Sequence, residues 1–434
     1  MRKIFFCLIL LVTLIPVIAF GSDHSSLIKK NSKSLVKLYK YLHSHPELSR
    51  QEKKTSKKMA VELEKAGFEV TENIGGYGVV GVYKNGDGPV VMVRTDMDAL
   101  PIKEETGLPY ASKVKAVDEK DKKVSVMHAC GHDMHMTVFI GTARLLMKLN
   151  NQWKGTLVMV AQPSEENIGG AKAMIEDGLF KRFPHPDYAL ALHVMPMPSV
   201  MVSYKEGYMF AGSSSVDITV RGIGGHGAYP HGSKDPIVLS ASMIEAFQTI
   251  ISRETDSKEP AVITVGSIHG GTARNIIPEE VKMALTIRAY PDKLLDTLVK
   301  SVKRVAEGTA IASGFPKDRM PVFTEVVRCP SVYNDPKLTR RIVKAFKKNV
   351  PQLFKSDRII ASEDFAHYRF VEPKFPTVIF GIGVYKMETF VEAQKKGTFP
   401  PAMHNPKFGP DDVKTTIKTG VNAMSTALFE LLGK

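Results

Sequence analysis

The sequence predicts an α/β protein interrupted by a smaller α+β unit. Two observations predict it: strand-like apolar runs alternate with helical patterns through the first half of the chain, and that rhythm breaks near residue 207 and resumes after residue 328. The strand-like runs are Val79–Tyr83, Val90–Arg94, Thr156–Gln162 and Tyr188–Val194, and the helical patterns are Glu52–Ala66, Thr137–Leu149 and Ala171–Asp177. Such alternation suits a largely parallel sheet with helical crossovers. In the interruption, strand-like Ser215–Arg221 precedes a helical stretch Pro236–Arg253, strands Ala261–Ile268 and Val281–Ala289, a helix Lys293–Ala312 and a strand near Pro321–Val327. This β-α-β-β-α-β order is the split, ferredoxin-like unit. A helix at Pro336–Lys348, a strand at Pro376–Phe380 and a helix at Thr415–Leu432 then resume the first pattern. The expected organisation is a discontinuous larger domain, residues 30–206 and 329–434, carrying an insert of residues 207–328.

Composition agrees with a folded, multi-domain chain. The 434 residues allow two or three domains of about 100–200 residues each. With 43% hydrophobic and 24% charged residues, and only 33 Gly and 26 Pro, low-complexity and collagen-like classes are excluded. The unusual total is a net charge of +14. Lysine pairs such as Lys53-Lys54 and Lys57-Lys58 fall on expected helix faces without interleaved aromatics, so no specific nucleic-acid partner is expected.

Residues 1–21 have the layout of a signal peptide: Arg2 and Lys3, an apolar run Ile4–Ile18, then Ala19-Phe20-Gly21 before a cleavage point at Ser22. The run is shorter than the roughly 20 residues of a spanning helix. Export to a periplasm or beyond, without stable membrane insertion after cleavage, is therefore expected; an uncleaved anchor is the alternative. Cys7 lies in this segment, leaving Cys130 and Cys329. A single bridge between them would be ordinary in an exported protein, but the position of Cys130 among histidines points to another use.

Chemistry gathers where the strand-like runs stop. Val90–Arg94 leads into Thr95-Asp96-Met97-Asp98, Leu157–Ala161 into Gln162-Pro163-Ser164-Glu165-Glu166, and Ala189–Leu192 into His193. Ligand crevices of open α/β sheets lie beyond the carboxyl ends of the strands, so these segments should converge. His128-Ala129-Cys130-Gly131-His132-Asp133-Met134-His135 should reach the same rim, with Gly131 turning the backbone between a thiol and an imidazole. Thiolate, imidazole and carboxylate form a zinc-type ligand set, although not every histidine of this cluster can ligate one ion. Glu165-Glu166, read as an extended pair, would point to opposite sides, one carboxylate holding metal and the other facing an attacking water.

With these motifs, the chain resembles the metallopeptidase-related amidohydrolases: aminoacylases, hippurate hydrolase, N-acetyl-diaminopimelate deacetylases and auxin-conjugate hydrolases. The resemblance runs from His43-Ser44-His45-Pro46-Glu47 to His404-Asn405-Pro406. It also includes the Arg94–Pro101, His128–Asp133, Gln162–Glu166, Gly225–His231, Asn275–Pro278 and Ser362–Phe365 segments. It implies a phosphorylase/hydrolase-like α/β metal-binding catalytic domain with an inserted ferredoxin-like lid and dimerisation domain. It implies metal ligands Cys130, His132, Glu166, His193 and His404, and Glu165 as general base. One or two divalent ions are implied, zinc or manganese first, cobalt or nickel as alternatives. Asp96, implied as a catalytic-site residue, matches an Asp that in related peptidases follows a metal-binding His by two residues and orients it; that earlier position is Arg94 here, so a metal role there is lost, consistent with His132 supplying the imidazole. Met403-His404-Asn405-Pro406 departs from the family's Leu-His-Ser-Pro. His226 matches a residue that reaches a partner's site in a homodimer to stabilise the oxyanion, while Asn275 and Arg288 match residues that grip the substrate's amide region and carboxylate. The implied activity is hydrolysis of N-acyl amino acids, small-molecule substrates. The alternatives are an exported carboxypeptidase or dipeptidase, or a non-catalytic binding protein.

Overall fold

The computed structural model describes residues 22–433, so the segment read as a signal peptide lies outside the described residues. Among the described residues, no helix is long and apolar enough to cross a membrane. Eight strands form the principal sheet: β1 (Glu69–Ile74), β2 (Gly78–Asn85), β3 (Val90–Asp96), β4 (Gly155–Gln162), β5 (Tyr188–Pro198), β6 (Met201–Tyr204), β7 (Gln352–Lys355) and β8 (Thr377–Tyr385). Their spatial order is β1-β2-β4-β3-β5-β8-β6-β7.

The sheet is parallel at its centre, β4-β3-β5-β8, and mixed towards its edges, rather than parallel through most of its width. β1 and β2 are antiparallel because Gly75 and Gly76, both at positive φ, join them by a short reversal. Side chains alternate between two cores: Val91, Val93, Leu157 and Met159 face one, while Met92, Val158 and Val160 face the other. Burial on both faces explains why the central strands read as continuous apolar runs.

Helices α1 (Ser22–Ser44), α2 (Lys53–Ala66), α3 (His132–Lys148), α4 (Pro336–Asn349) and α5 (Val413–Leu432) supply the first core. α3 begins at His132, five residues ahead of the expected Thr137. Gly131, at φ 82°, lets the chain reverse immediately before the helix, and the Asp133 carboxylate accepts the Met134 N–H at 2.8 Å in its first turn. The polar His132, Asp133 and His135 hide that turn from a periodicity reading, because all three are buried.

A separate four-stranded sheet is built from Gly212–Arg221, Ala261–Gly270, Glu280–Ala289 and Val322–Cys329. Glu280–Ala289 and Gly212–Arg221 are central, every pairing is antiparallel, and the order is that of a ferredoxin-like unit. Helices Pro236–Thr249 and Asp292–Ala312 cover one face. The first begins where the Asp235 carboxylate accepts the N–H groups of Ile237 and Val238, with Pro236 as the first helical residue. Val216, Ile218 and Val220, with Val281, Met283, Leu285 and Ile287, meet Leu239, Met243, Phe247 and Leu298 in a core of their own. Phe247→Ala is expected to lower stability by about 3–5 kcal/mol in urea denaturation; an unchanged midpoint would contradict this packing.

Candidate active site

The parallel centre of the sheet brings three segments to one edge. Asp96 at the end of β3 is in register with Gln162 at the end of β4, and β5 runs beside β3. His193 lies within its strand rather than at the strand end expected from Ala189–Leu192: β5 continues to Pro198 by pairing with β8, placing His193 opposite Gly381. The imidazole is still presented at the level where β3 and β4 stop.

Here the donors converge. His132 donates its Nδ1–H to the Asp98 carbonyl at 2.8 Å, leaving Nε2 buried with no hydrogen-bond partner among the described residues. That atom lies 3.7 Å from Asp96 Oδ2 and 3.9 Å from both Glu165 Oε2 and Glu166 Oε1. His193 repeats the arrangement: Nδ1–H donates to the Val194 carbonyl at 2.7 Å, and Nε2 lies 3.5 Å from Cys130 Sγ. An imidazole anchored at one nitrogen, with its other lone pair aimed at anionic donors, has the form of a metal ligand. His404, although exposed, places Nε2 3.4 Å from Glu166 Oε2, its loop held by an N–H donated to the Ala129 carbonyl at 2.8 Å.

The ligand atoms of Cys130, His132 and His193 lie within 4.8 Å of one another, as do those of Cys130, Glu166 and His404. Cys130 belongs to both groups, so the residues fit one ion or two sharing a thiolate, and their mixture of sulfur, nitrogen and oxygen suits zinc. The bare His132 Nε2 and Glu166 Oε1 are the atoms a cation would satisfy. Burial and the Glu166 charge hold the Cys130 thiol well above its usual value, while burial lowers His193 to about 4 and keeps it neutral. At His132 burial is outweighed by Asp96 and Cys130, which hold it well above the ordinary imidazole value.

The other polar residues of the 128–135 segment serve different partners. His135 accepts the Val194 N–H at Nε2 and donates from Nδ1 to Asp96 Oδ1 at 2.7 Å, so both nitrogens are used and it orients Asp96. Asp133 turns to His43, 2.7 Å away, whose other nitrogen lies 2.9 Å from Glu104. His128 is buried with neither nitrogen hydrogen-bonded among the described residues, outside the donor groups.

Glu165 and Glu166 lie in a turn, not an extended segment, and both carboxylates face His132. Asp98 explains this geometry: its carboxylate accepts the N–H groups of Glu165 at 3.1 Å and Glu166 at 3.0 Å, folding both side chains to one side. The same residue holds His132 through its carbonyl, a double role that the sequence did not disclose. Burial, with the charges of Glu363 and Glu166, holds the Glu165 carboxyl well above the usual carboxylate range.

Beneath the donors lies Arg94, fully buried. Its guanidinium contacts Asp96 at 2.8 Å, Glu363 at 3.0 Å and Asp364 at 3.1 Å, and its Nε donates to Gln162 at 2.9 Å. Glu363 and Asp364 belong to the Ser362–Phe365 motif; adjacent acids far along the chain carry no spacing signal that ties them to Arg94.

A cavity of about 330 Å³ opens over the cluster, lined by Cys130, Glu165, Glu166, His193 and His404, with Arg288 on its wall. Arg288 donates to the Ser362 hydroxyl at 2.8 Å. His226 and Asn275 do not reach this cavity. They sit together on the insert, on or beside the paired strands Gly225–His226 and Ile276–Ile277, both exposed.

Two expectations follow from the geometry. Gly131→Ala forces a left-handed alanine, costing about 1–2 kcal/mol, and places a Cβ 2.5 Å from Val194 Cγ2. Lower stability in urea together with weaker Zn²⁺ binding is expected, and unchanged binding would show that Cys130 and His132 do not need this turn. At His43 burial opposes the charge, but Asp133 and Glu104 prevail and raise it from 6.5 to about 9. A folded-state value above the unfolded one stabilises fully below pH 6.5 and is lost as pH rises through 9. The stability gap between wild type and His43→Gln in urea should therefore be steady below pH 6.5 and narrow towards pH 9; a gap that widens would reverse the sign.

Comparison with known proteins agrees with this geometry. Residues 92–426 match the peptidase family M20/M25/M40. The chain is 38% identical over 336 residues to a hippurate hydrolase of Campylobacter jejuni, covering 76% of this chain and 84% of that protein. It is 33% identical over 383 residues to thermostable carboxypeptidase 1 of Saccharolobus solfataricus, covering 87% and 91%. The crystal structure of the Bacillus subtilis YXEP protein, described as a dinuclear metal-binding peptidase, superposes with a TM-score of 0.74 at 29% identity, covering 93% of this chain and 99% of that one. The fold, the donor cluster and these similarities together make the chain a member of peptidase family M20/M25/M40, a hydrolase of amide bonds.

Proposed function

We propose that this hydrolase cleaves the amide bond of N-acyl amino acids. The observation that carries the reading is the placement of the Glu165 carboxylate against the donor cluster, in a cavity whose wall also holds the Arg288 guanidinium. A carboxylate at one end of the substrate suits that guanidinium fork, and the apolar Ile168, Phe210, Ile359 and Met403 suit an apolar acyl group or side chain. The similarity to a hippurate hydrolase supports the same class.

Cys130, His132, Glu166, His193 and His404 would hold one or two divalent ions, zinc or manganese, with Asp96 beside His132. The chemistry supplied there is Lewis acidity: polarisation of the amide carbonyl and a lowered pKa for water. Glu165, ionised next to such a charge, takes the proton of the attacking water. The water oxygen bonds to the carbonyl carbon, the C–N bond breaks, and Glu165 returns the proton to the departing amine. Arg288 holds the substrate carboxylate throughout.

His226 stabilises the oxyanion from a second copy of the chain, with Asn275 beside it gripping the amide region. Exposure of both on the insert supports this, as does the exposed apolar surface at Ile237, Val238, Val262, Ile268 and Ile276. Residues 1–21 direct export to a periplasm or beyond, supported by their signal-peptide layout.

Glu165→Gln should keep its fold and bound metal while losing about 10²–10⁴-fold in hydrolysis of N-acetyl, N-benzoyl, indole-acetyl or succinyl amino acids. Wild-type rates in the metal-loaded variant would remove Glu165 from the mechanism. The similarity to a carboxypeptidase favours a second reading, cleavage of short peptides, and faster release of amino acids from dipeptides than from the acylated panel would decide for it.

A further inference from the structure

His43 is buried at the end of α1, in a motif to which the reaction assigns no use. Both ring nitrogens face carboxylates: Nδ1 lies 2.7 Å from Asp133 Oδ2, and Nε2 lies 2.9 Å from Glu104 Oε1. Only an imidazolium donates at both nitrogens, so the three side chains form a buried acid-cation-acid clamp.

The clamp joins the two ends of the metal cluster. Asp133 directly follows His132 in the first turn of α3. On the other arm, Glu104 is held by the Ser112 N–H at 2.6 Å, and its neighbour Glu105 donates its N–H to the Pro406 carbonyl at 2.8 Å, two residues beyond His404. His132 and His404 approach Glu166 from its two oxygens, at 3.9 Å and 3.4 Å. Without the cation, Asp133 and Glu104 are left as buried carboxylates on either side of the ring with no positive charge between them, and the segments that carry the two histidines lose their common anchor.

We propose that His43 is a positioning residue that sets the separation of His132 and His404 across Glu166, and thereby the affinity of the site for divalent cations. The inference rests on the reading of those two histidines as ligands. Outer partners of this kind typically contribute about 10–100-fold to metal affinity.

The test is chelator competition with Zn²⁺ on the full chain, comparing wild type, His43→Gln and His43→Gln/Glu104→Gln. The double variant removes one of the stranded carboxylates and keeps the measurement open where the single variant folds poorly. About 10–100-fold weaker Zn²⁺ binding is expected in both. Unaltered affinity, even with a lowered melting temperature, would make His43 a structural residue only. Wild-type protein that binds no Zn²⁺ would instead overturn the ligand assignment, and the role of His43 with it. A measurement on wild type alone is amide hydrogen exchange. Because coupling is reciprocal, Zn²⁺ should slow exchange at Tyr39–Ser44 on α1, which carries no proposed ligand. Protection confined to the start of α3 and the His404 loop would count against the clamp.

Discussion

The buried guanidinium of Arg94 is the interaction on which the site depends. It lies at the end of a strand, in the interior, with Asp96, Glu363 and Asp364 as its anionic partners and Gln162 as a neutral one. Desolvated carboxylates at this density repel one another strongly unless a cation lies among them. Arg94 therefore permits an acidic floor beneath the donor cluster. Because its partners come from the ends of β3 and β4 and from residues 363–364, it also ties a segment that follows the four-stranded sheet in the chain to the edge of the principal sheet.

Above that floor, the donors are tuned by anchoring rather than by proximity alone. His132 and His193 each spend one nitrogen on a backbone carbonyl and turn the other to the donor cluster, bare at His132 and beside the Cys130 sulfur at His193, whereas His135 spends both, one of them orienting Asp96. Asp98 folds the Glu165-Glu166 turn and fixes His132 at once, so carboxylates and imidazole are set by one residue. Left-handed backbone gathers around the cluster: Gly131 turns into α3 at φ 82°, which glycine adopts without strain, while Ser164 and His404 hold the same region as non-glycine residues.

Much of this architecture was legible along the chain. The central strands are buried on both faces, which makes them uninterrupted runs of Val, Leu, Met and Ala, and the insert's strands are buried on one face, which makes them alternate. The dense Cys130-Gly131-His132 and Glu165-Glu166 motifs marked the donor cluster because each lies within a few residues. The features not legible there are either long-range or disguised: the early start of α3, hidden by buried polar residues; the turn at Glu165-Glu166, set by Asp98 from another strand end; and the Arg94 contacts with residues some 270 positions away.

The sequence by itself determined the strand and helix alternation, the interruption by a ferredoxin-like unit, and a thiol-imidazole-carboxylate inventory suited to a divalent cation. These follow from burial periodicity and side-chain chemistry, which are local properties. Tertiary structure alone decided which of the clustered histidines keeps a free lone pair, which acids share one guanidinium, and why His226 and Asn275 stand apart from the cavity of their own chain. Those outcomes depend on which carbonyl, carboxylate or amide lies within about 3 Å in space, and nothing in the spacing of residues along the chain encodes that distance.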